Sequence, residues 1–154
     1  MRGSGIAVFL LSAGAFCACA GLGSREPAAI WREIEVSAPS ETVLFKLTLL
    51  AVEGQGYPVA GGTDRGAGTI ASGWRTSLQP FQGAGVRLRA VVEIAPSGER
   101  RFKVRARVQQ QTNEALVAPL DPTRAEWKWA EDDPIRAQVL LQHVRSALEG
   151  TTGG

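Results

Sequence analysis

From Val86 to Gln109 apolar and polar residues alternate with a period of two. Val86, Leu88, Ala90, Val92 and Ile94 fill one set of positions. Phe102, Val104, Ala106 and Val108 fill the corresponding set after Pro96-Ser97-Gly98-Glu99. A strand sends successive side chains to opposite faces, so this pattern predicts two neighbouring strands with one packed and one wet face. The intervening Pro-Ser-Gly stretch has hairpin-turn composition. Matching the apolar faces suggests Ala95 opposite Arg101, Ile94 opposite Phe102 and Val92 opposite Val104. That register sets Glu93 against Lys103, and also Arg89 against Arg107. Thr69–Thr76 reads as a further strand, with Ile70 and Trp74 on one face and Arg75 on the other. Ile30–Val36 reads as a strand that opens the domain, with Ile30, Ile34 and Val36 on its apolar side.

The period changes to that of a helix in two places. Val43, Leu44, Leu47, Leu50 and Ala51 form a stripe at three- and four-residue spacing, widened by Phe45 and Leu49, in a helix over about 39–53. Ser37-Ala38-Pro39-Ser40-Glu41 supplies its start signals, and Gly54-Gln55-Gly56 its stop. Ala137, Leu140, Leu141, Val144 and Leu148 mark a second helix, opened by Asp133-Pro134 and closed at Gly150. Tyr57–Ala60 reads as a short strand. The prolines of Leu116–Pro122 mark an irregular crossing, after which Trp127 and Trp129 share one face if that segment is extended. The order strand, helix, antiparallel strands, helix describes an α+β two-layer sandwich. Its antiparallel sheet has about four or five strands, with two helices packed on one face.

The N-terminal region has a different composition. Met1-Arg2 is a basic start, Ile6–Phe16 an apolar stretch, and no charge occurs from Gly3 to Ser24. Glycine, serine and alanine dilute the run below what a spanning helix needs, so it reads as an export signal. Residues 1–18 form a lipoprotein-type signal peptide, 19–29 a tether, 30–150 a single domain and 151–154 a fraying tail. Phe16-Cys17-Ala18-Cys19 resembles the lipobox of bacterial lipoproteins, with Phe16 where leucine is usual and Cys17 where alanine or serine is usual. The resemblance implies acylation of Cys19, and Ala20 where an aspartate would signal inner-membrane retention points to the outer membrane. The alternative is cleavage after Ala20 at the A-x-A site Ala18-Cys19-Ala20, giving a soluble periplasmic or secreted protein.

Composition removes several kinds of chemistry. The chain of 154 residues has one histidine, His143, and two cysteines, Cys17 and Cys19. Cys/His zinc sites and Ser-His or Cys-His nucleophile pairs therefore lack their parts. Glu131-Asp132-Asp133 is explained by helix capping, while Asp64, Glu114 and Asp121 fall in separate loops, so no carboxylate pair converges. Gly61–Gly68 is glycine-rich but lacks the Lys-Ser/Thr of a P-loop and leads into no helix. The expectation is no enzyme, no catalytic or metal-ligating residue and no cofactor.

Binding is the remaining class. Arg75, Arg87, Arg89, Arg101, Lys103, Arg105 and Arg107 form a basic set that alternation assigns to the wet sheet face. Guanidinium forks suit phosphate and carboxylate, so the expected partner is an envelope protein or an anionic lipid or lipopolysaccharide surface. Export argues against nucleic acid, and the acyl chains would supply the membrane contact. A solvated sheet face is the plainer reading of the same residues. Leu78 and Phe81, in the Ser77–Gly85 connection, are candidate partner anchors or covers for the sheet edge. Trp127 and Trp129 are candidate stacking residues for a glycan or lipid held between sheet and helices, the alternative function.

With the export signal, Gly68-Thr69-Ile70-Ala71-Ser72-Gly73-Trp74-Arg75 and the helix leading to Gly56-Tyr57-Pro58-Val59 make the chain resemble small Gram-negative envelope lipoproteins, loosely of the BamC type. That resemblance implies a location and a non-catalytic, accessory mode of action.

Overall fold

The computed structural model describes residues 25–78, 85–117 and 119–152. Among these residues six strands and two α-helices succeed one another in the order β1 (Arg32–Ser37), α1 (Glu41–Gly54), β2 (Thr69–Ala71), β3 (Arg75–Ser77), β4 (Val86–Gly98), β5 (Arg101–Asn113), β6 (Trp127–Ala130) and α2 (Pro134–Thr152). The sheet is antiparallel throughout. The long strands β4 and β5 form its centre. One edge is shared end to end by β2 and β3 against β4, the other by β1 and β6 against β5. Six strands thus make a sheet four columns wide, an α+β sandwich with both helices on one face.

Leu88, Ala90, Val92, Ile94, Phe102, Val104, Ala106 and Val108 form the buried sheet face, as their alternation predicts. Helix α2 lies across β5 and β1, and α1 lies beside α2 and over β4. The Asp133 carboxylate accepts the Arg136 N–H (2.9 Å) at the start of α2. Ala137, Leu140, Leu141, Val144 and Leu148 are all buried, but the helix runs through Gly150 to Thr152. A Cβ at Gly150 would meet nothing within 4 Å, so no close approach there forces a stop.

Helix α1 starts two residues later than expected, at Glu41, with Pro39 before the cap and the Ser40 hydroxyl accepting the Val43 N–H, and it is followed by Gly56 at φ +77°. Its buried arc differs. Leu44, Phe45, Thr48 and Val52 face the core, whereas Leu50 is 60% exposed. Apolar residues surround most of this helix, so periodicity alone cannot choose the arc that meets α2 and β4.

Two strand assignments change. The β4–β5 register is displaced by two residues, with Ile94 opposite Val104 and Val92 opposite Ala106. A bulge between Pro96 and Gly98 and a Glu99-Arg100 turn, Arg100 at φ 54°, close the hairpin. A two-residue slip keeps the same faces together, so hydrophobicity cannot exclude it. Charge favours the observed pairing, which places Arg105 opposite Glu93 and Arg89 opposite Gln109. The expected Thr69–Thr76 strand breaks at Ser72-Gly73-Trp74, where the Ser72 hydroxyl accepts the Ala90 N–H (2.9 Å). This break inverts the phase of the residues beyond it. Trp74 therefore leaves the core side and Arg75 enters it. Tyr57–Ala60 forms no named strand, only a bridge from Val59 to Ser72.

The Gly61–Gly68 loop is a closed turn whose Gly66 and Ala67 N–H groups donate to the Asp64 carboxylate. Gly68 has φ +64°, and a Cβ there would lie 2.5 Å from the Ile94 carbonyl oxygen. Gly68→Ala is therefore expected to destabilise the fold by about 1–3 kcal/mol, through left-handed backbone strain plus a backbone clash. A urea midpoint unchanged from wild type would show that this turn is not tightly set.

Candidate functional site: the outer face of the sheet

The sheet face opposite the helices gathers all four tryptophans of the chain. Trp31 precedes β1, Trp74 sits at the β2–β3 break, and Trp127 and Trp129 lie on β6 opposite Asn113 and Gln111 of β5. Arginines interleave with them. The Arg87 guanidinium lies 4.7 Å from the ring centroids of both Trp74 and Trp127. Arg89 lies 4.9 Å from Trp74, and Arg105 4.6 Å from Trp31. Trp74 and Trp129 are tilted at 58° with centroids 5.7 Å apart. Cations over indole faces attract the ring quadrupole, each contact contributing about 0.5–2 kcal/mol according to desolvation.

Hydrogen bonds hold this pattern in register. Arg87 Nε donates to Gln111 Oε1 (2.7 Å), and Arg89 Nε to Gln109 Oε1 (2.6 Å). These are cross-strand pairs, so the β4–β5 register that brings Gln109 opposite Arg89 also makes the bond.

At the β1–β6 gap the face becomes a buried ion-pair network. Arg107 Nη2 donates to Asp132 Oδ1 (3.1 Å) and to Glu26 Oε1 (2.7 Å). Arg107 Nε lies 2.9 Å from Asp132 Oδ2 without hydrogen-bond alignment, so charge attraction completes the pair. Asp132 Oδ2 also accepts the Ile30 N–H (2.9 Å), and Gln109 Nε2 donates to Glu26 (2.5 Å). Capping therefore explains Asp133 only, and Asp132 anchors Arg107. Nothing in the sequence signals this pair, whose members are 25 residues apart.

The basic set divides accordingly. Lys103 pairs with Glu33 at 3.5 Å, Arg105 with Glu93 at 2.5 Å, and Arg107 with Asp132 and Glu26. Arg75 does not belong to this face. Opposite Leu88, it donates to the Gln55 carbonyl oxygen (2.6 Å) and lies over the Tyr57 ring. Burial raises the Tyr57 phenol, the nearby Arg136 and Arg75 charges opposing the shift, so that ring is neutral beneath its cation. Arg101 is exposed at the hairpin end. Arg87 and Arg89 are the cations of the ladder without a carboxylate partner among the described residues. Desolvation, with the neighbouring Arg89 charge adding to it, lowers the Arg87 pKa, yet a guanidinium remains protonated at any ordinary pH.

The tryptophans do not lie between sheet and helices, where the ligand alternative placed them. Trp127 and Trp129 lie on the face away from the helices, and the sheet–helix interface is filled by core side chains. Leu78 is half-buried, while Phe81, with 79–84, lies outside the described residues, as do Cys19 and the whole signal segment. Exposed apolar residues occur instead on the β5–β6 connection, where Leu116 is 95% and Val117 68% exposed. His143 is exposed, and no three His, Cys, Asp or Glu side chains converge on a metal-sized site among the described residues. Nor is any helix among them long and apolar enough to cross a membrane. No protein-family model and no curated protein matches this chain.

Proposed function

We propose that the chain is a non-catalytic, lipid-anchored envelope protein. It is tethered through Cys19 and binds an envelope partner or anionic surface with its outer sheet face. The observation that carries this reading is the tryptophan–arginine ladder, in which two cations lack acidic partners among the described residues. Arginine combined with tryptophan on one face is the composition of interaction surfaces. The basic start, apolar run and lipobox-like cysteine of residues 1–19 support the anchor, and the resemblance to BamC-type lipoproteins agrees with it.

Expressed in a Gram-negative host, the protein is expected to fractionate with membranes and to carry acyl mass on Cys19. Cys19→Ala should move it from the membrane to the soluble fraction. An unmodified N-terminus at Gly21, or an intact Met1 in cytosolic material, would overturn the anchor.

A further inference from the structure

We propose that the outer sheet face docks flat on the anionic lipid leaflet that holds the protein's own acyl chains. This rests on the anchor reading above and goes beyond it by naming the surface and the orientation. The first argument is reach. Glu26 is fastened to Arg107 and Gln109, and Ile30 to Asp132, so the N-terminal segment arrives at the domain on the outer face. Only residues 20–25 separate the acylated cysteine from that attachment. Fully extended, they span about 20 Å, comparable with the width of a four-column sheet at about 5 Å per strand. The anchor therefore holds the outer face beside the membrane and the helices away from it.

The second argument is composition. Arg87 and Arg89 have no carboxylate partner among the described residues, and lipid phosphates would supply an anion at the distance the tether permits. Tryptophan is suited to the headgroup region, because its ring is apolar and its N–H polar. The third is the apolar tip. Asn113, buried on the outer face, donates to the Pro119 carbonyl oxygen (3.1 Å) and accepts the Ala115 and Glu126 N–H groups. These bonds tie the loop bearing exposed Leu116 and Val117 to the same side of the sheet, where an interface would bury them.

All four tryptophans lie on this face, so their fluorescence reads it directly. The full mature protein, its acylation verified by mass, is reconstituted into vesicles containing anionic phosphatidylglycerol, with or without lipids brominated near the headgroup. Docking predicts loss of tryptophan emission with brominated lipid, and partial recovery in high salt. In purely zwitterionic vesicles the loss should be smaller. Each basic residue at an anionic surface contributes about a fivefold preference, so Arg87→Gln with Arg89→Gln should weaken docking about thirtyfold. Leu116→Ser with Val117→Ser, on an exposed loop that leaves the fold intact, should weaken it at least about tenfold. Acylated protein whose emission is indifferent to brominated lipid overturns the docking and leaves the anchor reading standing. So does protection of this face by a captured protein alone. Protein without acyl mass overturns both.

Discussion

Asp132→Ala is expected to lower folding stability by about 3–5 kcal/mol, the cost of leaving a buried cation without its partner. The Asp132 side chain is 1% exposed and that of Arg107 11%, so water cannot replace the lost carboxylate. Glu26 remains as a partner of Arg107, but it is 39% exposed and comes from an irregular stretch before β1 rather than from a packed element. The same substitution removes the acceptor of the Ile30 N–H, loosening the entry into β1. Urea denaturation followed by circular dichroism measures the effect. A control separates charge from shape: Arg107→Met with Asp132→Leu removes both charges and should restore much of the loss, since well-packed apolar replacements of buried ion pairs are often neutral or better. A single Asp132→Ala variant within about 1 kcal/mol of wild type would mean that the network is solvated and not structural.

Leu141→Ala is expected to cost about 2–5 kcal/mol. Leu141 is fully buried on the stripe of α2, the helix that packs on α1, β5 and β1 together, so the vacated volume is bordered by elements that cannot all move inward. Leu50→Ala makes the matching experiment. Leu50 is 60% exposed on α1, and its truncation should change stability by no more than about 0.5 kcal/mol. The pair tests the orientation of both helices. If Leu50→Ala cost as much as Leu141→Ala, the buried arc of α1 would be the one its apolar spacing suggests, and not the observed one.

The arginines of the outer face differ in what their substitution would report. Arg107 is a structural cation, so replacing it alone would lower stability and confound any effect on binding. Arg87 and Arg89 are bonded to neutral glutamines, and removing their charge leaves no buried carboxylate unpaired. Variants at these two positions isolate surface charge from folding.

Local pattern alone determined the two layers, the strands β4 and β5 with their buried face, the core stripe of α2, the caps of α1 and the exposure of His143. Each arises from a period that a few neighbouring residues repeat, because a strand or a one-sided helix exposes its pattern wherever it packs. Tertiary structure decided the rest. The two-residue shift in register came from charge pairing and the Pro96–Gly98 bulge, to which face-matching is blind. Leu50 became exposed because α1 has more apolar surface than its neighbours cover. Trp74 and Arg75 exchanged sides because the chain breaks at Ser72-Gly73, and a one-residue change of phase reverses the side chains of β3 that follow it. The Arg107–Asp132 pair and the tryptophan–arginine ladder join residues far apart in the chain. Such contacts exist only once the sheet edges are in place, which is why a set of basic residues could not distinguish the cations paired with carboxylates from Arg87 and Arg89, which lie among the tryptophans with no acidic partner among the described residues.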